Sequence, residues 1–399
     1  MHSSRHALPT ASPADVGLCP LRTQRLLDVL QAEIDRARLP GAVALIARRG
    51  KLALFEHLGR QDPATRTPMT RDSIFRIYSM TKPIVSVAAM MLVEQGRLLL
   101  SDPVSQYLPA FANQQVAGAD GGASVPARRP ATIHDLLRHT AGLTYEFLGV
   151  TPVQKQYAAA NIGSRARSSR EFGQALAALP LMFQPGSAWE YSRATDVLGL
   201  VVEAISGQTL GHYLQEHIFA PLGMVDTAFS VPPEKLARMA EPFAHDPDGG
   251  VPMPVFDFRE PANMAFGGGG LVSTACDYAR FMQFLMNRGA LDGVRLLAPV
   301  TVDFMTCDHM GTIPVARGGS ALLLPPGHGF GLGFAVRTAP GVVSLPGSVG
   351  SYHWGGIAGT TFFIDPAQEL FAMLLIQAPN QREFYRPLFR NMVYAALLD

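Results

Sequence analysis

The β-rich segments of this chain lie at its two ends, and that placement constrains the fold more than any other feature. Near the start, GAVALIARRGKLALFEHLG carries two apolar, β-branched runs on either side of Arg49-Gly50, which reads as a hairpin. In the last hundred residues four more runs are strand candidates: GFGLGFAVRT, the stretch from Val342 to Tyr352, IAGTTFFIDP and LFAMLLIQA. The last two flank Asp365-Pro366, a turn signal. An amphipathic helix over 21–39 precedes the first pair, with Leu26, Leu27, Leu30 and Ile34 on one side, and a helix over 384–398 closes the chain. The middle reads as helices over 80–96, 133–139, 195–206, 210–219 and 274–287, separated by Gly- and Pro-rich loops such as 117–130 and 244–254. The Gly/Ala-rich part, 117–123, reads as an exposed loop. The expected fold is α/β (α+β): an antiparallel sheet formed by N- and C-terminal segments flanked by helices, with an inserted mostly helical lobe. Residues 1–75 and 290–399 are expected to form the α/β lobe and 76–289 the helical one, with a site in the cleft between them.

At 399 residues, 48 % hydrophobic and 16 % charged, the chain has the composition of a packed protein and not of long disorder. A formal net charge of +1 suggests no electrostatic partner such as nucleic acid or an anionic membrane. No apolar run is long enough to span a bilayer. The opening MHSSRHALPTASPADVGLCP is broken by three prolines and lacks the apolar stretch of a signal peptide, so the expectation is a cytoplasmic protein. Cys19, Cys276 and Cys307 are far apart and odd in number, as expected of free thiols in a reducing compartment.

Common catalytic patterns are missing. No serine has Gly at both −2 and +2, so the GxSxG elbow is absent, and there is no HExxH and no P-loop. The pairs His134/His139 and His212/His217 are five residues apart, which puts their rings on different helix faces; packed or surface histidines are the simpler reading. GHGFGLG does not fit GxGxxG, and Gly267–Gly270 opens no nucleotide-binding unit. What remains is Ser79-Met80-Thr81-Lys82. Four lysines stand against twenty-nine arginines, and with twenty-one serines only about 0.2 chance SxxK matches are expected. Arginine cannot lose its proton, whereas a buried lysine can and then acts as a base. Pro83 belongs in a helix's first turn, so the helix starts near Ser79, and the i, i+3 spacing puts Lys82 beside it. Burial and the positive helix terminus both disfavour a protonated amine there. A serine nucleophile also needs a proton route and oxyanion donors. Tyr191, in FQPGSAWEYSRATDVLG, is the candidate for the first. HWGGIAGT, read as lying at a strand start, offers backbone N–H groups and room for a substrate.

These pieces together resemble the serine β-lactamase and penicillin-binding-protein superfamily, and more closely its family VIII carboxylesterases, which are similar to class C β-lactamases. The resemblance runs over 42–398 and is carried by SMTK, LSDPVSQYLP, TIHDLLRHTAGL, FQPGSAWEYS, FGGGGLVSTACDYARF and GHGFGLGF. It implies Ser79 as the acylated nucleophile, Lys82 as its activating partner and Tyr191 as general base and then acid for the leaving group. It also implies an oxyanion hole from the Ser79 and Ile357 backbone N–H groups. Trp354, Gly355 and Gly356 would take the place of the Lys-Thr-Gly strand motif and contact substrate, with His353 and Tyr145 as further pocket candidates. No cofactor or metal is implied. Two departures tilt the expectation toward neutral esters: Arg193 stands where β-lactamases have an asparagine, and Trp354 where they have a lysine. The expectation is a hydrolase of short acyl esters, a small-molecule enzyme whose oligomeric state the sequence does not set. A β-lactamase or D-alanyl peptidase, an acyltransferase, and a catalytically dead binding protein are the rivals. Ordinary tyrosine and lysine pKa values, about 10 and 10.4, are too high for the chemistry at neutral pH, so at least one must be depressed.

Overall fold

The computed structural model describes residues 8–118 and 123–399; the N-terminal end of the opening segment and part of the 117–123 loop lie outside them. The chain's two ends do meet in one sheet. Its strands are β1 (Gly41–Arg48), β2 (Lys51–Asp62), β3 (Thr67–Pro68), β4 (His328–Phe330), β5 (Ala335–Arg337), β6 (Tyr352–Gly355), β7 (Thr361–Asp365) and β8 (Leu370–Ile376). They are ordered β4-β5-β6-β7-β8-β1-β2-β3, and every pairing is antiparallel. The join is central: β1 pairs with β8 from Ala42↔Ile376 to Arg48↔Leu370. The β1–β2 hairpin turns at Arg49 and Gly50, whose φ values of 52° and 73° suit a tight turn that follows strand twist.

Both faces of the sheet are covered, and the pleat sorts the residues. Val43, Leu45, Phe371, Met373 and Leu375 pack toward the helical middle, whereas Ala42, Ala44, Ile46, Ala372, Leu374 and Ile376 pack under the two terminal helices. Those helices are α1 (Pro20–Asp35), with proline at its first position, and α5 (Arg382–Ala395). In the middle, α2 (Thr81–Glu94) is buried along nearly its whole length. It packs against α3 (Ala194–Ser206), which ends at Gly207 with φ 75°, and α4 (Ala275–Met286) lies under β8. The expected helix over 210–219 changes to π geometry at Gln215–Phe219. Among the described residues, no helix is long and apolar enough to cross a membrane.

Three sequence expectations need correction. GFGLGFAVRT is two short strands, β4 and β5, not one. Gly333 turns between them with φ 99°, where a Cβ would sit 2.4 Å from Ser86 Oγ. The stretch 342–351 is irregular, and β6 starts only at Tyr352. Arg337 and Arg390 tie down this loop through the carbonyls of Leu345 and Pro346. The loop over 117–130 contains a short strand, Val125–Pro126, paired with Gln115–Val116.

Leu374, fully buried in β8 between Ala44 and Thr361, tests the central join. Leu374→Ala is expected to lose about 2–5 kcal/mol, read as a lower urea midpoint with an unchanged slope.

Candidate active site

Ser79 sits in a 3₁₀ turn, Tyr78–Met80, that runs directly into α2. Pro83 is the third residue of α2, where an N–H would have no helical acceptor anyway. Tyr78 has a left-handed backbone, φ 44°, a conformation that costs a non-glycine residue about 1–3 kcal/mol. It is pinned by its hydroxyl, which accepts from the Phe256 N–H at 2.8 Å, and by ring contact with Phe256. The strained residue thus immediately precedes Ser79, which opens onto a cavity of about 1210 Å³.

Lys82 lies beneath that cavity, fully buried. Its Nζ donates to the Gly268 carbonyl at 2.5 Å and meets the Tyr145 hydroxyl at 3.0 Å and Ser79 Oγ at 3.4 Å. It stands 4.4 Å from the centroid of the Tyr191 ring. Burial brings its pKa down to about 7; Asp196 opposes the shift and Arg193 adds to it. Asp196 is buried at the start of α3 and accepts from the Gly268 N–H at 2.7 Å, so it also sets the peptide whose carbonyl holds Lys82. Arg193 bridges Asp196 at 3.5 Å and Glu146 at 2.5 Å and lies over the Tyr145 ring. In place of the β-lactamase asparagine, then, a guanidinium closes an ion-pair network around the lysine.

Tyr191 presents its hydroxyl to the Trp354 indole N–H, which donates to it at 3.2 Å. Burial pushes its pKa above the usual range, with the Ser79 hydroxyl and Trp354 opposing. Of lysine and tyrosine, it is therefore the lysine whose proton is loosened. Tyr145 is likewise buried and pushed up. His139 packs 5.0 Å from the Tyr191 ring and bonds Ser192 at 3.1 Å; burial holds it neutral.

Ser79, Tyr191, Tyr145, His353, Trp354, Gly355 and Ile357 all line the one cavity. Among the described hydrogen bonds neither the Ser79 nor the Ile357 N–H has an acceptor. Gly356 is not on the wall: a Cβ there would sit 2.4 Å from both the Ile77 carbonyl and Thr360 Oγ1, so its glycine lets β6 approach the turn that carries Ser79. HWGG also lies at the end of a strand and not at its start. Sequence reasoning did not find Asp196 or the Gly268 carbonyl. The GGGG run held the one usable signal, because a Cβ at Gly268 would lie 2.7 Å from Tyr145 Oη and 2.9 Å from the Asp196 carboxylate. Among the described residues no three His, Cys, Asp or Glu side chains are placed to hold a metal ion.

A family model for Beta-lactamase matches residues 26–396. The chain belongs to the Beta-lactamase family. It is 35 % identical to Esterase EstB of Burkholderia gladioli, over 92 % of each chain. It is 31 % identical to Monacolin J acid methylbutanoyltransferase of Aspergillus terreus, over 91 % of this chain and 93 % of that one. Among solved structures it is similar to EstCE1, described as a hydrolase with promiscuous acyltransferase activity. The TM-score there is 0.78 at 29 % identity, covering 95 % of this chain and 98 % of that one. The esterase-like resemblance read from the motifs agrees with these relatives, and they support an enzyme of the hydrolase class.

Asp196 raises the Lys82 pKa, so removing its charge lowers it further. In Asp196→Asn, whose amide oxygen still accepts from Gly268, the acid limb of the kcat/KM profile is expected to move to lower pH. A limb that stays in place or moves up would show that Asp196 does not act on Lys82.

Proposed function

We propose that the chain is a serine carboxylesterase that works through an acyl-enzyme on Ser79, with acyl transfer to alcohols as a competing outcome. The observation that carries this reading is the buried Lys82 amine, depressed to about 7 and aimed at Ser79. A neutral amine has two N–H groups and one lone pair. The Gly268 carbonyl and the Tyr145 hydroxyl take the two N–H groups, which leaves the lone pair for the Ser79 proton. Ser79 passes its proton to Lys82 and its Oγ attacks the ester carbonyl. The Ser79 and Ile357 N–H groups receive the oxyanion. The departing alkoxide takes the Tyr191 proton, which the Lys82 ammonium then replaces. Water, or a second alcohol, attacks the acyl-enzyme by the same steps in reverse. Tyr191 in this account is a proton donor at rest and not the resting base, because burial raises it while it lowers Lys82.

Ester substrates fit better than lactams. Arg193 is tied to Glu146 and Asp196, and Trp354 to Tyr191, so neither reaches out as a polar anchor for a lactam. Phe147, Leu148, Phe256 and Phe266 give the cavity apolar walls, and about 1210 Å³ exceeds what a short acyl chain needs. The esterase and acyltransferase relatives support the same class. The reading includes a sheet-bearing lobe, 1–75 with 290–399, and a helical lobe, 76–289. The main sheet's strands fall within 41–68 and 328–376, which supports that division.

In wild-type protein kcat/KM for p-nitrophenyl butyrate is expected to rise with pH about a midpoint near 7, because protonated Lys82 cannot accept the serine proton. Lys82→Arg is expected to lose at least 10³-fold at every pH and to keep its circular dichroism spectrum, since arginine stays charged. Retained turnover in that variant would sink the assignment. Turnover of a chromogenic cephalosporin at the ester's rate would favour the lactamase rival, and ester products formed with added alcohols would measure the transferase share.

A further inference from the structure

The cavity continues past Trp354 and Gly355 to the other side of the sheet. Trp354 packs with Tyr191, but His353, one residue earlier, opposes Phe363 across the β6–β7 ladder and so faces the layer of α5. There the walls are made by His328, His353, Arg386 and Arg390, beside the apolar Val342 and Phe389. Arg337 stands behind them, 4 % exposed, and Arg390 is 5 % exposed.

These cations are incompletely answered. Arg386 donates through Nη2 to the Gly356 carbonyl, Arg390 through Nε to the Pro346 carbonyl at 2.9 Å, and Arg337 through Nη1 to the Leu345 carbonyl at 2.7 Å. Among the described residues, no protein group pairs with Arg337 Nε, Arg386 Nε, His353 Nδ1 or either ring nitrogen of His328. Two acids are near. Asp365 is buried and acts on Arg390 through space, but among the described residues it forms no ion pair: its Oδ2 accepts from the Tyr394 hydroxyl and the Ser348 N–H, and its Oδ1 has no hydrogen-bond partner. Glu383 is 71 % exposed and reaches Arg386 only at 3.8 Å. Among the described ion pairs neither Arg337 nor Arg390 has a carboxylate. Burial lowers the pKa of both Arg386 and Arg390, and holding the buried Arg390 guanidinium without a paired carboxylate is costly. A carboxylate in the cavity would supply the missing charge beside Arg386 and Arg390, which line it. The apolar walls beside them suit an organic acid better than an inorganic anion.

We propose that this end of the cavity is a carboxylate-binding subsite, so that the preferred esters carry a free carboxylate remote from the scissile bond. The proposal rests on the reading of Ser79 as the reacting residue, because it takes the ester group to lie there. It also revises the expectation of neutral substrates: the cation missing from the strand motif is provided by Arg386 and Arg390 of α5, with Arg337 of β5 behind them.

The test compares mono-p-nitrophenyl esters of glutaric, adipic and suberic acid with their methyl-capped diesters, and 4-acetoxybenzoate with its methyl ester. The first arm places the carboxylate on the acyl side and the second on the alcohol side. Wild-type kcat/KM is expected to favour the free acid at least tenfold in one arm. Arg390→Gln and Arg386→Gln are each expected to cut that ratio at least fivefold. A ratio near one in both arms, or one unchanged in both variants, would overturn the subsite. Calorimetry on Ser79→Ala with monomethyl and dimethyl suberate separates this from the serine chemistry. Selective binding of the half-ester supports the subsite even if wild-type Ser79 proves not to be acylated. Equal binding of the two, beside normal acylation of Ser79, overturns the subsite alone.

Discussion

Everything proposed for this site depends on a lysine amine kept out of water. Lowering its pKa from 10.5 to about 7 corresponds to roughly 5 kcal/mol of preference for the neutral form, enough to leave a usable base at neutral pH. Such an amine is costly to bury, and the fold meets the cost with two acceptors, the Gly268 carbonyl and the Tyr145 hydroxyl. Asp196 limits how far the shift goes, and Arg193 limits Asp196. The resting state of Lys82 is thus set by α2, by the start of α3 and by the glycine run before α4, three parts of the chain that meet only in the folded protein.

Uniting the ends of the chain in one sheet has the same consequence on the substrate side. Because β1 pairs with β8, the strands β6 and β7 are carried up against the turn that holds Ser79. Gly356 lets that approach close to contact with Ile77. Trp354 then reaches Tyr191 from the sheet while Lys82 lies under it from the helix. Tyr191 is fixed between the two halves, and its backbone N–H is held by Ser320. The same strand also carries His353 on its other face, so one four-residue element borders both the reacting serine and the cationic end of the cavity.

The large features were legible in the sequence because they rest on local rules. Pro83 marks a helix start, Arg49-Gly50 marks a hairpin, and a rare lysine three residues after a serine stands out against arginine. What escaped notice depends on tertiary contact. A backbone carbonyl such as that of Gly268 has no sequence signature of its own. Arg193 read as a missing asparagine, whereas in the folded chain it is an occupied position in an ion-pair network. The 342–351 stretch has strand-like valines, yet Arg337 and Arg390 hold its carbonyls as a loop. The histidine spacing argument treated His134 and His139 as two positions on one helix, whereas that helix ends at Leu137 and His139 packs against Tyr191.

With only four lysines in the chain, the central claim is open to direct observation. Protein labelled with ¹³C at lysine Cε gives four signals, and Lys82→Arg identifies one of them. The account predicts that the Lys82 signal titrates with a midpoint near 7. A Lys82 midpoint above about 9, close to that of a free lysine side chain, would contradict it.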